Sequence, residues 1–184
     1  MNLLINLAAF KLGWLSSVFG GAQQLPWLGP VVVFAAVAIH LARAQRPSSE
    51  LMLILSCGLI GAVFDSVLVA AGWVTFPSGM FSEVMAPYWI VTMWMLFGTT
   101  INMSMRWMRG RPLLASAFGF VGGPLAYVAG YKIGGIGFVD QPAAIAMLAV
   151  GWAVIMPLLM RLGERLDGVS PEPTQGDIMG QRVS

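Results

Sequence analysis

The sequence predicts an all-α polytopic membrane protein, a bundle of six transmembrane helices with both termini in the cytoplasm. Three observations carry this. The 184-residue chain is 58% hydrophobic and only 10% charged, whereas soluble domains carry about 25% charged residues. Its mean hydropathy is +0.79, leaving too few charged groups to cover a water-facing surface. Its apolar residues also gather into stretches of roughly 17 to 25 residues, the length that a bilayer core of about 30 Å demands of a helix.

The expected spans run over Asn2 to Ala22, Trp27 to Ala44, Leu51 to Trp73, Pro87 to Met105, Leu113 to Ile133 and Pro142 to Leu162. Each break between them carries Pro, Gly or clustered polar residues, which stop a helix. They are Gln23 to Pro26, Gln45 to Glu50, Thr75 to Ala86, Arg109 to Pro112 and Gly134 to Gln141. The first span lacks a basic leading region and holds Lys11 within it, unlike a cleavable signal peptide. Residues 1–166 thus form the transmembrane domain, and the polar stretch 167–184, rich in Gly, Pro, Ser and Gln, is expected to be a mobile cytoplasmic tail.

Arginines set the threading. Arg43 and Arg46 lie in the second connection, Arg106, Arg109 and Arg111 in the fourth, and Arg161 and Arg165 after the sixth span. The first and third connections have none, so the positive-inside rule places all seven in the cytoplasm and Glu83 and Asp140 outside. Lys132, at the outer end of span five, is the exception, and its stem can snorkel.

Single-residue counts remove whole classes of chemistry. With one His (His40) and one Cys (Cys57), one chain cannot build a bis-His haem, a histidine-boxed di-iron centre or a dithiol relay. No zinc spacing, P-loop or nucleophile elbow occurs. No metal, cofactor or nucleic-acid partner is expected, and no catalytic constellation is recognisable.

Helices in a bilayer associate through small residues, because lipid tails compete equally well for apolar faces. Span three carries Gly58, Ala62, Ser66 and Ala70 at intervals of four with Gly61 and Asp65 beside them, and span five carries Ala115, Gly119 and Gly123 and then Ala126 and Gly130. These stripes predict that spans three and five pack on each other.

Ionisable groups inside a span are costly and mark candidate sites. Lys11 lies about 14 Å into span one and Asp65 about 21 Å from the cytoplasmic side of span three. Tyr127, fourteen residues past Leu113, reaches the level of Asp65. The expected cluster is Asp65 with Tyr127, with Lys11 reaching it from below; it is either a polar clamp between helices or a functional centre. Asn6 and Asn102 fall at a common depth of roughly 6 Å and are expected to pair as interhelical glue. Trp residues near span ends fit an interfacial belt, although Trp89 and Trp94 could line a slot.

Taken in order, Asn6-x4-Lys11-x2-Trp14, Leu25-Pro26-Trp27-Leu28-Gly29-Pro30, Asp65-Ser66-x-Leu68, Ala86-Pro87-x-Trp89-Ile90, Asn102-x-Ser104-x-x-Trp107 and Gly122-Gly123-Pro124-Leu125-x-Tyr127-x-Ala129-Gly130 resemble the bacterial membrane proteins grouped as domain of unknown function 2878 (DUF2878). The resemblance covers nearly the whole chain apart from the tail. Many relatives have a His after the Asn of the fourth span where this chain has Met103. The resemblance implies a multi-pass protein of the Gram-negative inner membrane. Relatives are often encoded beside fatty-acid-modifying enzymes of the cyclopropane-synthase type, which implies lipid metabolism.

Two functions are therefore expected. One is a bundle that binds a membrane lipid or supports a lipid-modifying enzyme. The alternative is a small carrier in which Asp65 and Lys11 couple movement of a solute or proton. An acyl-shaped groove open sideways favours the first, and a polar funnel open to one aqueous side favours the second.

Overall fold

The computed structural model describes residues 3–170. Its six α-helices are α1 (Leu3–Ala22), α2 (Leu28–Ala42), α3 (Pro47–Ala70), α4 (Tyr88–Ile101), α5 (Pro112–Ile133) and α6 (Gln141–Arg165). The other regular pieces among the described residues are a 3-10 turn, Arg106–Met108, and an antiparallel ladder of β1 (Val74–Thr75) with β2 (Gly137–Phe138). By length and composition α1, α3, α5 and α6 can each cross a membrane, while α2 and α4, with 15 and 14 residues, are apolar but shorter.

Local chemistry sets the ends. Proline occupies the first turn of α3, α5 and α6, where its missing N–H costs nothing. Asp140 caps α6 by accepting from the Ala143 N–H at 3.1 Å. Gly134, at φ 92°, closes α5 in a left-handed conformation that a side chain would resist. Helix α4 stops at Ile101, short of the expected Met105, with Thr99 and Thr100 hydroxyls bonding back to the Leu96 and Phe97 carbonyls. Such back-bonding competes with the helix ladder, and the next residue, Asn102, is held outside the helix by the side chains described below.

The bundle is apolar outward as well as inward. Leu12, Leu15 and Phe19 of α1, Leu55, Leu59 and Val63 of α3, and Val121 and Leu125 of α5 are exposed, a surface suited to lipid and not to water. Inside, α3 packs along α4 and α5 along α6, while α1 packs on α2 and α4.

The small-residue stripes face helices other than those expected. A β-carbon on Gly58 would come within 2.8 Å of Met95, and one on Gly61 would enter the Trp94 ring, so the α3 stripe receives α4. Gly119 faces the Trp152 backbone and Met156, and Gly123 faces the Trp152 indole, so the α5 stripe receives α6. Gly130 accommodates Ile136 of the following loop. The expected packing of span three on span five is replaced by these two contacts, in which Gly61 and Gly123 each receive a tryptophan ring and Gly119 the Trp152 backbone.

At one end of the bundle the loops before α4 and α6 meet in the β1–β2 ladder. Gln24 donates to the Pro77 carbonyl at 3.0 Å, and the Trp89 indole to the Ser78 carbonyl at 3.0 Å. At the opposite end the α2–α3 connection, the 102–111 turn and the segment after α6 converge. There Asp167 to Ser170 are seated on the bundle, and the rest of the expected tail, residues 171–184, lies outside the described residues.

Candidate functional site

Asp65 is fully buried in α3, five residues before its end, and both carboxylate oxygens accept hydrogen bonds. The Tyr127 hydroxyl of α5 donates to Oδ1 at 2.5 Å, and the Trp94 indole of α4 donates to Oδ2 at 2.6 Å. Three helices are thereby tied at one level, and the two donors satisfy a carboxyl that would otherwise be costly at that depth.

Lys11 does not join them. It is exposed on α1 and makes no ion pair or hydrogen bond among the described residues, so the expected Asp65–Lys11 pair is absent. The group in its place, Trp94, was legible by depth. Trp94 lies six residues into α4 and Asp65 five residues from the end of the oppositely directed α3, so both sit roughly 8 Å from the same helix ends.

Trp94 also stacks on Trp152 of α6, with ring centroids 4.5 Å apart and planes 13° from parallel. Gly61 backs one ring and Gly123 the other. The layer Gly61, Trp94, Trp152, Gly123 therefore runs through four helices, and neither indole has room unless both glycines lack a side chain. Trp152 Nε1 is buried beside the Tyr127 phenol, without a partner at hydrogen-bond distance among the described residues.

This layer floors a groove of about 190 Å³. Phe10, Trp14 and Val18 of α1 form one wall, and the stretch of α5 from Phe118 to Tyr127 forms the other. Phe97 sits between, edge-on to Trp152 at 5.4 Å. The lining is almost wholly aromatic, aliphatic or Gly, and its one phenol hydroxyl is committed to Asp65. Gly122 lines the groove with only Phe118 near its missing β-carbon, at 3.7 Å.

A second polar cluster lies at the end where the Arg-bearing connections meet. His40 Nε2 is 2.7 Å from Glu50 Oε2, and both residues are buried. Glu50 Oε1 accepts from Asn102 Nδ2 at 2.7 Å and from the Gly168 N–H at 2.8 Å. Asn102 Oδ1 accepts from Arg109 at 2.6 Å, and Arg109 and Arg106 both reach Asp167. Asn6 is elsewhere, donating to the Thr99 carbonyl at 3.1 Å and to its hydroxyl at 3.5 Å, so the expected Asn6–Asn102 pair is replaced by bonds to α4 and a separate network. Sequence reasoning placed Glu50 in a polar loop, yet it lies in the first turn of α3, which Pro47 starts four residues earlier than Leu51.

Asp167 is an acid among arginines. Burial alone would raise its carboxyl, but hydrogen bonds from Arg109 and from the Ser170 and Val169 N–H groups outweigh it and hold the group well below the usual carboxylate range.

No curated protein and no solved structure matches this chain. The sequence profile of a family described as protein of unknown function (DUF2878) matches residues 3–158. That segment holds the Asp65 cluster, the stacked tryptophans and both walls of the groove, and it ends within α6 before Asp167. A match over most of the chain settles the membership: the protein belongs to the DUF2878 family.

Proposed function

We propose that the protein crosses a bacterial inner membrane six times with both termini in the cytoplasm, and that it binds the hydrocarbon chain of a membrane lipid in the groove between α1 and α5. The observation that carries this is the groove itself. It is apolar, it runs about 12 Å along α1 from Phe10 to Val18, and the helices that wall it carry exposed Leu12, Leu15, Val121 and Leu125. An apolar slot between lipid-facing helices is reached from the hydrocarbon, where a chain is the available ligand. The carrier reading loses its charge pair, because Lys11 makes no ion pair with Asp65, whose oxygens accept from Tyr127 and Trp94.

Threading is supported by the convergence of Arg46, Arg106 and Arg109 at one end of the bundle. A reporter fused after Glu164 is expected to be active only in a form that reads cytoplasm; periplasmic activity overturns the topology. Chain binding is tested with Gly122→Leu, which adds a side chain to the groove's lining where a β-carbon meets Phe118 at 3.7 Å, an ordinary contact. The purified wild type is expected to carry co-extracted lipid by native mass spectrometry, and Gly122→Leu to have lost it. Equal lipid on both overturns the groove as the site.

A further inference from the structure

We infer that the groove selects a single-chain lipid with a free carboxylate, which pairs with Lys11; this rests on the groove being a chain site. Around α1, Lys11 stands about 20° from Val18, about 60° from Trp14 and about 100° from Phe10, the three α1 residues that wall the groove. It therefore stands beside the groove's α1 wall, outside the lining itself and not on the far side of the helix. It is also exposed, within an apolar helix, and without an ion pair among the described residues.

A lysine eight residues inside α1 is about 12 Å from the helix start, and an ammonium there needs a counter-ion or a stem that snorkels outward. The groove offers no anion of its own, since Asp65 is sealed behind Tyr127 and Trp94. A ligand that brings the anion satisfies both requirements at once.

Depth and polarity specify that ligand. A phospholipid keeps its phosphate at the interface, beyond the start of α1, so only a group attached directly to the chain reaches Lys11. Beyond Lys11 the Asp65, Tyr127 and Trp94 polar atoms are committed to one another, and the buried Trp152 N–H on the groove's lining is uncharged, so the ligand carries no second charged end there. The methyl end of the chain then runs past Trp14 toward Val18, Tyr127 and Ile136, and the carboxylate stays at the level of Phe10. An acid is distinguished from a neutral ester or alcohol by the charge-assisted hydrogen bond to Lys11.

Three tryptophans line the groove, so occupancy is read by their fluorescence, quenched with dibrominated stearate and with the methyl ester of the same chain. In phosphatidylcholine vesicles the acid is expected to quench saturably and to bind about tenfold more tightly than the ester. Lys11→Gln is expected to reduce the acid to the ester's affinity and Lys11→Arg to retain it, with Gly122→Leu abolishing saturable quenching by both. Equal affinities for acid and ester, or an unchanged acid affinity in Lys11→Gln, overturn the role of Lys11 while the groove stands. Absence of saturable quenching by either probe, or its survival in Gly122→Leu, overturns the groove reading and this inference with it.

Discussion

Gly61 lies against the indole of Trp94 so closely that a β-carbon would fall inside the ring, and the same ring stacks on Trp152, which Gly123 backs from the other side. Without a solvent-driven hydrophobic effect between helices, such contact is the main source of association in a bilayer. The two glycines thus act through the volume they leave for indoles.

Gly61→Leu and Gly123→Leu should therefore each cost about 1–3 kcal/mol by overpacking, and thermal unfolding in mild detergent should show it. Gly122→Leu, one residue from Gly123, points into open space and should unfold at or above the wild-type temperature, because Leu is the better helix former by up to about 1 kcal/mol. Equal effects at 122 and 123 would mean that the layer is not the contact holding α5 to α6.

Asp65 is expected to show a graded series. Asp65→Asn can keep its oxygen on the Trp94 N–H and turn its amide to the Tyr127 oxygen, leaving the phenol proton without an acceptor. Asp65→Ala strands both donors. Each stranded buried donor costs about 1–3 kcal/mol, so stability should fall from wild type through Asn to Ala, with Tyr127→Phe near Asn. An Ala variant as stable as Asn would show that Trp94 and Tyr127 are not held by Asp65.

Depth arithmetic on helices made the meeting of Asp65 and Tyr127 legible, because both helices run the same way from a common boundary. It misassigned Lys11, since depth fixes a level but not the direction in which a side chain points. The stripes on α3 and α5 were equally visible, but small residues mark a close approach without naming its occupant. Here the occupants are Trp94, which the sequence offered as the lining of a slot, and Trp152, for which it names no partner. Trp27 and Trp107, both exposed, are the ones that fit an interfacial belt. The His40–Glu50–Asn102 network was hidden because Glu50 reads as a loop residue until Pro47 is seen to start its helix.

Glu50 serves three donors or partners at once, so its loss should be the most damaging polar substitution at the arginine end. Glu50→Ala leaves the Gly168 N–H and the His40 ring without their partner and the Asn102 Nδ2 with only the Leu166 carbonyl at 3.3 Å, and each buried donor so stranded costs about 1–3 kcal/mol. Glu50→Gln keeps an oxygen for Asn102 and Gly168 and offers its amide to His40 Nε2, which accepts once the ring proton moves to Nδ1. Gln should thus recover most of the lost unfolding temperature. A Gln variant no better than Ala would show that the charge of Glu50, and not its hydrogen bonds, holds the network.

Asp167 fastens the segment after α6 to Arg106 and Arg109, and its carboxyl is held below the usual range. A group whose folded value is depressed contributes stability above its unfolded value, about 3.9 for Asp, and loses it as pH falls through the folded value. The difference in unfolding temperature between wild type and Asp167→Asn should accordingly be constant near neutral pH and shrink below about pH 4. It should be small throughout, since the Arg106 side chain is 38% exposed and solvent screens its share. The sharper readout is local: cleavage after Arg165 by trypsin should be slow in wild type at neutral pH and faster in Asp167→Asn, because the carboxylate that holds the segment against the bundle is gone. Identical cleavage in the two proteins, with identical stability across the acid range, would mean that the backbone bonds between Arg46 and Gly168 seat the segment without Asp167.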